Sequence, residues 1–235
     1  MDSLNSDPRM WANFILWICN TVLVLFIAML SFKLAEFKED KGDESEAKNL
    51  RIWGYFFVIL ALSQIGNLIW RFAVSDALLI EILLRTAHTL FYVALFIRVL
   101  NIEKSLIELN WYKRYYFSAI VLISIIINIV TPTWVITEIN PLQVILFAFV
   151  TLGFSVFPII YFYVASKSSG TVRTNALKVS AGAVFLALGY LFNPQTLAGY
   201  RDIPGLSFYI DWLYITAPIS IIIGALLIYD SYRKI

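Results

Sequence analysis

"ALLIEILLRTAHTLFYVALFIRVL", residues 77–100, decides the fold. Crossing roughly 30 Å of hydrocarbon takes about 20 predominantly apolar residues. The run Ala87–Leu100 is too short alone, so a spanning helix must begin near Leu79 or earlier, which carries Glu81, Arg85 and His88 into the membrane. Counting back from Arg98 at 1.5 Å per residue places His88 about 15 Å up, Arg85 about 20 Å and Glu81 about 26 Å. At 100° per residue Glu81, Arg85, His88 and Tyr92 share one arc, and Leu83, Leu90, Ala94 and Ile97 the opposite one, which is expected to face lipid. A charge left alone in the bilayer costs from about 3 to more than 10 kcal/mol, so the polar arc must face other helices or a water-filled cavity.

The rest of the chain supports a membrane setting. Of 235 residues 60% are hydrophobic and 14% charged, where a soluble domain carries about 25% charge, and the mean hydropathy is +0.77. Apolar blocks run over Met10–Phe32, Ile52–Ala73, Ala77–Leu100, Tyr115–Val135, Leu142–Ala165, Ala176–Leu197 and Leu206–Tyr229. They are continuous rather than alternating, which excludes a β-barrel. The expectation is an all-α, polytopic seven-transmembrane-helix bundle, one domain over residues 1–235. The first block is long and lacks a small-residue cleavage pattern, so it is expected to stay as a span and not to act as a removable signal peptide.

Lysine and arginine set the direction, because they favour the cytoplasmic side. Fourteen of the 18 cations lie on one side: Lys33, Lys38, Lys41, Lys48, Arg51, Arg98, Lys104, Lys113, Arg114, Lys167, Arg173, Lys178, Arg233 and Lys234. Arg9, Arg71, Arg85 and Arg201 lie on or toward the other. The amino terminus is therefore expected outside and the carboxyl terminus inside, in a multi-pass protein of the cell membrane. The longest joint, "KLAEFKEDKGDESEAKNLR" (33–51), mixes both signs and reads as a solvated helix extension and turn, with docking of a cytoplasmic partner as the alternative. The one cysteine, Cys19, reads as a small buried hydrophobe. The net charge of +2 gives no argument for nucleic acid.

Other blocks add polar groups to the outer half: Gln64, Asn67 and Arg71 on one arc of the second, Asn128 in the fourth, Asn193 in the sixth and Asp211 in the seventh. The inner half shows no ionisable group away from its edge. That asymmetry predicts a cup open to the outside, walled by Trp70, Tyr209, Trp212 and Tyr214. Arg71 and Arg85 balance Glu81 and Asp211 in formal charge, so a self-satisfied packing network remains a rival reading. Two arginines would suit a small anionic ligand; His88 would suit a proton switch.

"YIDWLYITAP" (209–218) resembles the helix of microbial rhodopsins in which an aspartate counter-ion precedes a tryptophan and a Thr-Pro bend. No lysine occurs between Lys178 and Lys234, so the resemblance implies no retinal, and no cofactor is expected. "NPQTLAGYRDIPGLS" (193–207) resembles the Pro-Gln motif and following loop of PQ-loop transporters, present here once and on the outer side. In size, helix number and orientation the chain resembles seven-helix sensory modules of microbial membrane receptors, which implies a sensor of an external stimulus. With the sequence ending at Ile235, the expectation is either output through a membrane or cytoplasmic signalling partner, homo-oligomers included, or a chain that is a fragment of a larger protein.

One histidine cannot supply a multi-histidine metal site, and no serine sits in an elbow motif, so no enzymatic activity is expected. Gly182 and Gly189, one heptad apart, read as a close helix contact. The leading expectation is a receptor or sensor with a ligand or proton site among Gln64, Asn67, Arg71, Glu81, Arg85, His88, Asn193 and Asp211. A secondary transporter or proton-coupled carrier, and a structural membrane subunit, are the alternatives.

Overall fold

The computed structural model describes residues 8–74, 76–106, 115–130, 141–191 and 207–233. Seven α-helices account for nearly all of them: α1 (Pro8–Asp40), α2 (Glu44–Phe72), α3 (Ala77–Leu106), α4 (Tyr116–Val130), α5 (Pro141–Lys167), α6 (Gly170–Leu191) and α7 (Ser207–Arg233). The fold is all-α. Five stretches are long and apolar enough to cross a membrane, namely Trp11–Asp40, Glu44–Ile69, Leu78–Lys104, Ala148–Lys167 and Ile215–Arg233, and Tyr116–Val130 is apolar but shorter. Large apolar side chains such as Ile15, Val22, Phe26, Ile126 and Ile159 stand exposed on the outside of the bundle. Water tolerates so extensive an apolar surface poorly, and a bilayer accepts it.

The charged joint folds as its composition implies. Helix α1 continues to Asp40, and the turn closes through Gly42 at φ 81°, a left-handed conformation that costs glycine little. Asp43 then caps α2 by accepting a hydrogen bond from the Glu46 backbone N–H at 3.2 Å. Lys38 pairs with Glu46 at 2.8 Å, and Arg51 pairs with Glu39.

Each helix packs on the next in chain order, and α7 closes against α1. Contacts at both ends fix the directions. Arg85 near the start of α3 reaches the carbonyl of Ile129 at the end of α4, while Glu103 near the end of α3 meets Phe117 and Ser118 at the start of α4. Ser180 of α6 donates to the Pro158 carbonyl of α5, and Lys178 of α6 pairs with Asp230 of α7. These neighbours are antiparallel. Ser31 of α1 bonds Tyr232 of α7 at 2.9 Å, so the closing pair is parallel.

Among lipid tails the hydrophobic effect gives helices little reason to associate, and close van der Waals contact takes over. The α6–α7 crossing shows it. A Cβ on Gly182 would stand 2.8 Å from the Gly224 carbonyl oxygen, and one on Gly189 would stand 2.8 Å from that of Ala217. The heptad-spaced glycines are the backbone contact expected of them.

Two sequence expectations fail. Cys19 is exposed on the outer side of α1 rather than buried. The expected lipid face of α3 fails in part: Ala94 is fully buried while Leu83, Leu90 and Ile97 are partly exposed, and the most exposed side chains, Leu79, Ile82 and Thr86, shift the outward face toward the adjoining arc. Helix α3 packs against α2, α4 and α5 together, so beyond its first turns little of it is left for lipid.

Candidate functional site

A cavity of about 20 Å³ lies inside the bundle, lined by Trp17 of α1, Phe56, Leu60, Ser63, Gln64 and Asn67 of α2, Phe91 of α3, Phe154 of α5, Leu186, Gly189 and Tyr190 of α6, and Ile221 of α7. That volume is room for a water or so, not for a drug-sized ligand. Its position follows from the sequence on α2. Ser63, Gln64 and Asn67 lie within about one turn, and Ser63 donates to the Ala87 carbonyl at 2.7 Å. Gly66 lets the two backbones approach, since a Cβ there would come within 3.1 Å of the Ala87 Cβ.

Polar atoms at this cavity and along the neighbouring face of α1 are unusual. Both side-chain amide atoms of Gln64, which is 2% exposed, find no hydrogen-bond partner among the described residues, nor does Trp17 Nε1. Asn13 and Asn20 lie one turn to either side of Trp17 on the same face of α1. Asn13 Oδ1 and both amide atoms of Asn20 are likewise buried without a partner. A buried polar group left unsatisfied costs about 1–3 kcal/mol, and six such atoms in one region demand an explanation.

One wall is an aromatic stack. The Phe91 and Tyr190 rings lie 4.0 Å apart at 7°, and Tyr190 donates its hydroxyl proton to Tyr92 at 3.0 Å. His88 is buried, its ring centroid 6.2 Å from Tyr92 and 6.1 Å from Tyr190.

The structure divides the residues singled out from sequence. Gln64 and Asn67 line the cavity, and His88 lies against its tyrosine wall. Glu81 and Arg85 do not join them. Arg85 pairs with Glu81 at 2.6 Å and donates to the Ile129 carbonyl at 3.1 Å. Asn128 locks the same seam through the Arg85 carbonyl and Thr89, at 3.2 and 2.8 Å. These charges therefore tie α3 to α4. Arg71 and Asp211 sit on α2 and α7 with side chains outside the described residues, as are those of Trp70, Tyr209 and Tyr214, and Asn193 lies outside them altogether. Trp212 is exposed.

Sequence reasoning passed over Asn13, Trp17 and Asn20. Their 4-then-3 spacing was the available signal, since it stripes one helix face with polar groups inside an apolar block.

A second polar group lies at the other end of the bundle, where sequence counting expected none inside. Arg98, 1% exposed, donates to Asn49 Oδ1 at 2.8 Å and to the Tyr161 hydroxyl at 2.6 Å, and its guanidinium carbon stands 3.9 Å over the Trp53 ring. Glu103 is fully buried and accepts the backbone N–H groups of Phe117 and Ser118 at 2.7 and 3.1 Å. Between the two groups lie buried Phe56, Phe57 and Leu95. Among the described residues no three His, Cys, Asp or Glu side chains gather to hold a metal ion.

The fold and site together define an all-helical, membrane-type bundle with a small amide-and-aromatic cavity in its interior. Compared with known protein families, curated proteins and solved structures, the chain matches none.

Proposed function

We propose that this chain is a seven-span sensor of the cell membrane, amino terminus outside and carboxyl terminus inside, whose ligand enters the cavity beside Gln64. The buried polar atoms of Trp17 and Gln64 at the cavity, and of Asn13 and Asn20 on the same face of α1, six in all without partners among the described residues, carry the reading. They offer donors and acceptors in aromatic surroundings, which suits a small, flat, neutral molecule with one amide-like group. An anionic ligand fits less well, because Arg85 is already committed to Glu81 and Ile129. With a volume near 20 Å³, ligand entry must part the helices around the cavity. Helix α6 brings Tyr190 to it and packs backbone-close on α7, so displacement there is passed toward the inner end, to a partner. The likeness to microbial sensory modules in size and helix number points the same way.

A carrier is the second reading, favoured by the buried Arg98 group at the opposite end. One experiment separates the two. Benzamide, a ring bearing an amide complementary to Gln64, is titrated into the full chain in lipid nanodiscs and offered, radiolabelled, to reconstituted vesicles. The sensor reading expects thermal stabilisation of the wild type, its loss in Gln64→Leu, and no accumulation in vesicles. Equal responses in wild type and variant overturn the site; uptake overturns the sensor in favour of the carrier.

A further inference from the structure

We propose that Arg98 is the cation of a second binding site, for an oxyanion of the carboxylate or phosphate class, at the end of the bundle where α1 turns into α2. The inference does not depend on the cavity beside Gln64.

Three observations carry it. Arg98 is buried, and no carboxylate among the described residues pairs with it. Its acceptors are instead two neutral oxygens, Asn49 Oδ1 and the Tyr161 hydroxyl, and its Nε has no acceptor among the described residues. A guanidinium has five N–H donors in a planar fork that matches a carboxylate or phosphate. Charge-assisted bonds to an oxyanion are about twice as strong as those to neutral acceptors. The third observation is access, because Asn49 and Tyr161 are both partly exposed while the arginine beneath them is not.

The floor of the site is firm. Trp53 lies under the guanidinium and is stacked on Phe57 and Tyr232, with ring centroids 5.7 and 6.1 Å away. Tyr232 is pinned in turn by Ser31. Helices α1, α2 and α7 therefore converge beneath one cation whose cover is two polar side chains. Withdrawal of Tyr161 opens Nε and the adjoining terminal nitrogen to a two-pronged bond, and an anion that takes it stabilises that open form.

The test uses the full chain in nanodiscs at constant ionic strength. In one arm inorganic phosphate at millimolar concentration is added to phosphatidylcholine discs; in the other phosphatidylglycerol replaces part of the lipid without phosphate. The midpoint of thermal unfolding is read in wild type and Arg98→Met, whose thioether chain still covers Trp53. The wild type should gain about 3 °C or more in at least one arm, the responding arm naming free anion or headgroup as the source, and Arg98→Met should gain nothing. No shift in either arm, or equal shifts in both proteins, overturns the site. Where Arg98→Met does not fold, Tyr161→Phe decides. Removing the competing hydroxyl should lower the phosphate concentration needed for half the effect at least threefold, and an unchanged midpoint overturns the proposal.

Discussion

Glu103 is a charged residue serving structure, and Gln64 a neutral one held against it, so their substitutions should move stability in opposite directions. Glu103 accepts the N–H groups of Phe117 and Ser118, donors that the first turn of α4 leaves without intrahelical partners. Charged acceptors contribute about 1.5–3 kcal/mol. Glu103→Gln keeps the shape but can present only one amide oxygen, and chemical unfolding in detergent should show a loss of about 1–2 kcal/mol. Gln64→Leu removes two buried atoms that have no partner among the described residues. Replacing such a group by an apolar one of similar size should leave the fold unharmed or more stable by up to about 1 kcal/mol, while abolishing the benzamide response. A clear loss of stability in Gln64→Leu would show that the amide serves packing. The sequence revealed which residues are polar and where they fall along each helix, and Gln64 and Asn67, grouped on that basis, both line the cavity. It did not reveal rotation. Arg98 sat at the expected boundary by counting, but its direction is set by Trp53 and Tyr161, neighbours distant in the chain, so a cation read as a surface marker is an interior one.

At the scale of elements, the helices themselves were legible because a hydrocarbon core demands long apolar runs with all backbone groups satisfied internally. The extension of α1 beyond its apolar block was legible too: the helix continues eight residues past Phe32 through charged sequence to Asp40, as the mixed charges of the joint implied, since solvated charges do not oppose a helix. Faces were legible only where few neighbours compete. The glycines of α6 announced a close crossing correctly; the arc of α3 was misjudged at Ala94 because α3 packs against three other helices at once. Gly189 tests the crossing. An alanine Cβ there would stand 2.5 Å from Ile221 Cγ1 and 2.8 Å from the Ala217 carbonyl oxygen, and a backbone carbonyl cannot rotate away as a side chain can. Overpacking of this kind costs about 1–3 kcal/mol. Gly189→Ala should therefore lower the unfolding midpoint and, because Gly189 and Ile221 also line the cavity, weaken benzamide binding. A variant of wild-type stability and affinity would show that α6 and α7 are free to separate.

At the scale of the whole molecule, the proposed direction of insertion follows from where the 18 cations fall, and it decides which solution each site meets. The joint between α1 and α2 gathers Lys33, Lys38, Lys41, Lys48 and Arg51, of which Lys38 and Arg51 are neutralised by Glu46 and Glu39. Pairing weakens the net charge of this end yet leaves the positive-inside bias intact, because acidic residues contribute little to orientation. Lys41 is exposed in the turn, with its ammonium 4.2 Å from the Phe37 ring centroid, so it offers a reporter that belongs to neither site. In a Cys19→Ser background, Lys41→Cys should react with a membrane-impermeant maleimide in inside-out vesicles and remain unlabelled in intact cells. Loss of one of the five cations in that joint is too small a change to reverse the charge bias. Labelling of intact cells would invert the molecule: the cavity beside Gln64 would then sample the cytoplasm, and the Arg98 site would face the exterior.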